Sequence, residues 1–217
     1  MMVVSDAQTF KAEAHIYAVD NQRIDSTDSM KVLGFNFGPR PTCHAHIDAV
    51  RRKFCGRYWF LIHLGQNGFD QKELVKTYTT MVRPIAEYCA PVFHSMLTDD
   101  QDYALERMQA TALRIIYRYG PSYAEIRRMA GIGTLRQRRI ELCDKFAEKC
   151  AASDSFSGWF PLRRAPRRTR NATQYQEEFA RCERLRNSPL YYMRRRLNGK
   201  QGKTYGKQYC HYRDAAP

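Results

Sequence analysis

Three groups of side chains in this 217-residue chain have the types that do chemistry. The first is Cys43-His44-x-His46, with Cys55 further along. Four-coordinate zinc needs two pairs of ligands at short spacing, and here one tight cluster stands alone. His44 and His46, two residues apart, cannot share a helix face, so the stretch reads as a polar helix start with surface imidazoles. Cys210-His211 is weaker still. The second group is Asp99-Asp100 with Asp102, the kind of carboxylate set that holds two cations in phosphoryl transfer. It follows Thr98, however, and falls in the first turn of a helix, where negative charge complements the helix dipole. No Gly-rich phosphate loop, G-x-S-x-G or H-E-x-x-H motif occurs. The expectation is a chain without catalytic residues, resident metal or other cofactor.

The third group is the strongest. Binding a phosphate backbone needs several cations along one surface, and interleaved aromatic rings can stack on unpaired bases. The C-terminal quarter supplies Arg163, Arg164, Arg167, Arg168 and Arg170, then Arg194, Arg195 and Arg196 beside Tyr191 and Tyr192. Smaller patches are Arg51-Arg52-Lys53 with Arg57, Arg127-Arg128, and Arg136-x-Arg138-Arg139. The excess of Arg over Lys in the tail favours bidentate phosphate contact. These cations are the expected nucleic-acid contacts, with RNA or DNA as partner. Net charge places them: the chain carries +14, of which residues 162–217 contribute +11 from 15 basic and 4 acidic residues. A polyanion is the partner class this distribution favours.

The elements that must position these groups are legible from caps and stripes. His15–Val19 and Arg23-Ile24 flank Asp20-Asn21-Gln22 and predict a β-hairpin. Met30–Phe37 reads as a second extended run, stopped by Gly38-Pro39-Arg40-Pro41. Beyond it the period becomes helical. Capping boxes open helices at Asp70-x-x-Glu73, Thr98-x-x-Gln101, Ser122-x-x-Glu125 and Thr134-x-x-Gln137, with a fifth suggested at Thr173-x-x-Gln176. Apolar stripes follow: Ile47, Val50, Phe54, Leu61 and Leu64; Leu74, Tyr78, Met81 and Ile85; Leu105, Met108, Ala112, Ile115 and Tyr119; and Leu135, Leu142 and Phe146, widened by Ile140, Cys143, Ala147 and Cys150. Each helix has one apolar side, so together they predict a bundle.

After the linker Ser153–Gly158, a helix with Tyr175, Phe179, Cys182 and Leu185 on one side is expected. A second opens at Ser188-Pro189 and stops at Asn198-Gly199. Lys200–Pro217 reads as unpacked. The fold class is therefore α+β, mainly α. Residues 1–40 would form short strands, 41–152 a helical bundle, and 153–217 an arginine-rich tail with one or two helices. Seven scattered cysteines without a C-x-x-C pair read as reduced thiols. With no secretory signal and no membrane-length apolar run, an intracellular chain is expected, with the basic tail also compatible with the nucleus.

The motifs assemble into a family pattern. Ser29-Met30-Lys31-Val32-Leu33-Gly34-Phe35 resembles the K-x-L-G strand after the catalytic palm of non-LTR retrotransposon reverse transcriptases. His46-Ile47, after a Pro-Thr break, resembles the start of that family's next helix. Tyr78-x-x-x-Val82-Arg83-Pro84-x-x-Glu87-Tyr88-x-x-Pro91-Val92 is similar to its thumb signature. Leu105-Glu106-Arg107-x-Gln109 and Leu135-Arg136-x-Arg138-Arg139 resemble segments beyond it.

The resemblance spans about residues 5 to 152. It implies the last palm strands and a thumb that packs on a template–primer duplex, with the fingers and most of the palm expected before Met1. The family's magnesium-binding aspartates, on a Tyr/Phe-x-Asp-Asp turn and an earlier strand, have no counterpart; Leu97-Thr98-Asp99-Asp100 matches in letters alone. The implied function is a catalytically incomplete reverse-transcriptase-like fragment that binds nucleic acid. A helical interaction module with a basic localisation tail, and a decayed element copy without function, are the alternatives.

Overall fold

The computed structural model describes residues 16–17, 23–24, 29–38, 42–118, 120–162, 174–177 and 179–199. The architecture is α+β and mainly helical, with short antiparallel strands preceding the helices. Packing divides the chain at Lys53–Phe54, inside the first helix. The sequence pattern had placed boundaries near residues 40 and 152.

In the first unit, β1 (Ile16–Tyr17) pairs with β2 (Arg23–Ile24), Ile16 opposite Ile24, which is the expected hairpin. The second extended run differs from expectation. It folds back on itself as β3 (Met30–Val32) and β4 (Phe35–Phe37), with Val32 opposite Phe35. The two turn residues, Leu33 and Gly34, both have positive φ, 47° and 84°. A two-residue hairpin turn of this twist requires that at both central positions. Gly34 meets the requirement freely; Leu33 meets it against its side-chain preference, with that side chain 86% exposed. Phe35 is buried and carries the His46 ring stacked on it, centroids 4.3 Å apart. His46 is thus a buried ring and not a surface imidazole, while His44 stays exposed. These residues belong to the start of α1 (His44–Gln66).

In the second unit all four capping boxes close. Asp70, Thr98, Ser122 and Thr134 each accept from the backbone amide three residues on, and the Glu or Gln there bonds back. They open α2 (Gln71–Thr77), α5 (Asp99–Ile116), α6 (Tyr123–Ala130) and α7 (Leu135–Ala151). α6 ends on Gly131 in the left-handed conformation.

Between α2 and α3 (Arg83–Glu87) lies a π turn, Tyr78–Val82. Pro84 has no N–H for the Thr80 carbonyl, and its ring would crowd that carbonyl in a regular helix. The wider turn instead sends the Arg83 amide to the Tyr78 carbonyl. It also absorbs one residue, so the buried stripe runs Leu74, Tyr78, Val82, Ala86, and Met81 is 55% exposed instead of buried. α4 (Ala90–Phe93) and a 3-10 turn at His94–Met96 complete the passage to α5.

α7 is the hub, packing against α3, α4, α5 and, at its C-terminal half, α9 (Pro189–Leu197). Ala147, Cys150, Phe160 and Met193 form a small core there, flanked by Tyr175, Leu190 and Leu197. The helix expected around Tyr175 and Phe179 is not formed over the described residues. Tyr175 bridges to Leu162 as extended chain, and Asn198 clamps its backbone through both amide groups, at 2.9 and 3.1 Å. Helix resumes only at α8 (Glu183–Arg186). Thr173, the first residue of the fifth expected capping box, and Tyr119 of the third stripe lie outside the described residues.

Candidate nucleic-acid interface

The cations that the sequence singles out fall into three structural classes. Arg51, Arg52 and Lys53 in the first unit are exposed, and Arg57 is exposed in the second. None of the four has an acidic partner among the described residues. Two residues beyond Arg57 stands Trp59, 69% exposed, its indole stacked flat on His63 with centroids 5.1 Å apart and planes 7° apart. An exposed indole is the kind of surface on which a base can stack.

The α7 arginines are different, and here the expectation of a phosphate-facing patch is corrected. Arg139 has no exposed surface. Its guanidinium donates to the Asp102 carboxylate, which also takes a 2.7 Å bond from Arg136. Arg138 donates to Glu87 at 3.2 Å and to Glu141 at 3.3 Å, and Arg83 meets the same Glu87 at 2.7 Å. The physical reason is position. Arg139 sits four residues after Leu135 and four before Cys143, squarely on the buried stripe of α7. That spacing puts Arg139 on the apolar stripe, and the Asp102 carboxylate supplied by α5 lets it stay there charged.

Asp99, Asp100 and Asp102 lie in the first turn of α5 after Thr98, as the sequence reading has it, and Asp102 in addition serves as the counter-ion of Arg136 and Arg139.

The α9 arginines are also engaged. Arg194 is buried, donating from Nε to the Trp159 carbonyl at 2.8 Å and lying over the Tyr191 ring at 5.9 Å. Arg195 donates to the Arg186 carbonyl at 2.6 Å. Arg196 makes a two-pronged ion pair with Asp144 of α7. This run holds α9 onto the bundle more than it faces outward. Arg163, Arg164, Arg167, Arg168 and Arg170 lie outside the described residues.

A buried polar core that sequence reasoning missed links the motif stretches. Tyr78 donates to Gln109 Oε1 at 2.8 Å. Gln109 Nε2 in turn donates to the Tyr123 hydroxyl at 2.9 Å and to the Gly133 carbonyl at 3.0 Å. Tyr123 donates to Glu106, whose other oxygen accepts the Leu135 amide at 3.0 Å. Burial raises the Glu106 carboxyl above its ordinary range, the Tyr123 and Arg139 contacts opposing that rise. Burial also drives the Tyr78 and Tyr123 phenols well up, so neither ionises at neutral pH. Every group here has a structural partner, and the network ties α5, α6 and the start of α7 together.

Among the described residues no three His, Cys, Asp or Glu side chains converge on a metal-holding group, and no helix is long and apolar enough to cross a membrane. The Cys43 thiol is pushed up to about 12 by burial. Comparison with protein-family models, with curated proteins and with solved structures found no match.

Proposed function

We propose that the chain is a catalytically incomplete, reverse-transcriptase-like fragment whose remaining competence is sequence-independent nucleic-acid binding. Its supporting observation lies on α1 in the second unit: Arg57, exposed and without an acidic partner among the described residues, and the exposed indole of Trp59 stacked on His63. Arg57 gives a backbone contact in the second unit, and Trp59, two residues on and so on another face of α1, gives a base a separate place to stack. The likeness to the thumb of non-LTR retrotransposon enzymes adds support of another kind. The stretches that carry it meet each other in space: Tyr78 with Gln109, Glu87 with Arg138, and Glu106 with the Leu135 amide. Residues matched to a motif are thus matched to bonds that hold a bundle together. RNA, DNA and their hybrid all present the chemistry that this surface takes.

The test is retention of a labelled single strand and a labelled duplex over a salt series. Binding at low salt that weakens steeply with added salt is expected, each neutralised phosphate adding about 0.9 to the log–log slope for duplex. No retention of either at low salt overturns the proposal. Primer extension by this chain alone is expected to give no product.

A further inference from the structure

A cavity of about 280 Å³ opens where the 3-10 turn at His94–Met96, the start of α5, α7 and the α8–α9 segment come together. Its walls include His94, Ser95, Arg136, Arg186, Tyr192 and Arg195. Three polar atoms of these residues, His94 Nδ1, Ser95 Oγ and Arg195 Nε, have no hydrogen-bond partner and are sealed from solvent. A concave space rimmed by polar and cationic side chains is a place for a small guest.

Charge says which kind. The Asp102 carboxylate in the wall is already engaged by Arg136 and Arg139. Arg186 and Arg195 have no acidic partner among the described residues, and Asp99, exposed in the first turn of α5, is the one further carboxylate. Cations therefore outnumber anions around a concave space, where low-dielectric walls concentrate the field. The imidazole of His94 registers that field. Its pKa falls to about 3, first through burial and then through Arg139, Arg136 and Arg196. The ring is neutral at physiological pH.

We propose that this cavity is a binding site for a nucleotide-sized phosphomonoester, namely the 5′-phosphorylated end of a nucleic-acid strand. The volume lies near the lower end of small-ligand pockets, room for about one nucleotide and no continuous backbone. A terminal phosphate has three free oxygens for the guanidinium groups of Arg186 and Arg195, whereas a phosphodiester within a chain has two and must also leave the pocket. Arg guanidinium forks suit that geometry. The choice of a strand end over a free nucleoside monophosphate rests on the nucleic-acid reading above; the choice of a phosphate does not.

The experiment compares two short single strands of one sequence, labelled at the 3′ end, one with a 5′-phosphate and one with a 5′-hydroxyl. AMP and adenosine serve as competitors. Fluorescence anisotropy is expected to show about tenfold tighter binding of the phosphorylated strand, the scale of added charge-assisted bonds. Arg186→Gln and Arg195→Gln are each expected to erase that difference and leave the affinity of the 5′-hydroxyl strand unchanged, a separation that a merely structural defect would not give. Arg186 is exposed, so its substitution leaves the fold intact even if Arg195→Gln does not.

Equal affinity for the two strands, or a preference that survives Arg186→Gln, overturns the site while leaving the nucleic-acid reading in place. AMP bound as tightly as the phosphorylated strand identifies a free-nucleotide site and overturns the strand-end assignment. If neither strand binds and AMP does, the nucleic-acid reading falls and the anion site stands. Binding of none of the probes overturns both.

Discussion

The first half of α1 and the first half of α7 carry nearly the same text, a cluster of basic residues within two helical turns, and the fold uses them in opposite ways. Arg51, Arg52 and Lys53 remain exposed, without acidic partners among the described residues. Arg136, Arg138 and Arg139 are drawn inward, each onto a carboxylate supplied by another element or the next turn. The difference lies in what faces each cluster. α5 brings Asp102 and α3 brings Glu87 against α7, whereas among the described residues no acid is paired with the α1 cluster. A count of cations in the sequence therefore overstates the charge available to a ligand, and acidic residues far away in sequence decide how much is left.

This contrast can be broken most forcefully at Arg139. Removing one member of a buried ion pair strands the other, so Arg139→Ala should cost about 3–5 kcal/mol, with Asp102→Ala similar, by chemical denaturation. Arg51→Ala should stay within about 0.5 kcal/mol of the parent. A comparable loss at both positions would dissolve the distinction.

Acid is a second lever on the α7 side. His94 is held neutral beside Arg136 and Arg139, with its pKa down to about 3 in the folded chain against an ordinary 6.5. Between those values the unfolded chain binds the proton and the folded chain does not. Stability should therefore fall as pH drops from about 6.5 toward about 3, and the contribution is fully present above that window. His94→Gln should flatten this part of the profile relative to the parent, which separates it from the carboxylates that titrate in the same range.

Gln109→Leu tests the neutral part of the same interior. It leaves the Tyr78 hydroxyl without its acceptor and the Gly133 carbonyl without its donor, at a cost of about 1–3 kcal/mol. Thr134→Ala, which removes the side-chain acceptor at the start of α7, should cost about 1 kcal/mol. The smallest effect belongs to binding: Arg57→Gln should lower the salt slope for duplex by about 0.9, and Arg138→Gln should leave it unchanged.

Local signals made much of this fold readable before any coordinates. A capping box is complete within four residues, so Asp70, Thr98, Ser122 and Thr134 declared their helices without reference to anything distant. The mainly helical class followed from the same signals. What escaped was settled by non-local partners or by backbone states that the residue type disfavours. Leu33 is not a turn residue by composition, and only pairing of Val32 with Phe35 makes its positive φ worthwhile. Tyr175 looked helical by its spacing, but the side chain of Asn198, over twenty residues later, holds its backbone extended. On the candidate site, exposure of the α1 cations agrees with their patterning, while burial of Arg139 and Arg194 needed the partners that Asp102 and Trp159 provide. The polar chain from Tyr78 to Glu106 left no pattern in sequence, since its members lie in three separate stretches.

The π turn at Tyr78–Val82 gives this helical passage an unusual tolerance to length. A π turn holds one residue more than the α-helical turn it replaces, so the segment carries a spare. Deleting Thr80, whose side chain is exposed and bonds the Lys76 and Thr77 carbonyls, together with Pro84→Ala to remove the ring that crowds the preceding turn, would let the turn tighten to the ordinary spacing. Val82, Ala86 and everything after them would keep their faces toward the interior. Removing Gln137 from α7 would instead rotate Arg139 by about 100° relative to the capped start of the helix and take its ion pair with it. The chain thus contains a helix that can be shortened without being rephased, beside one that cannot.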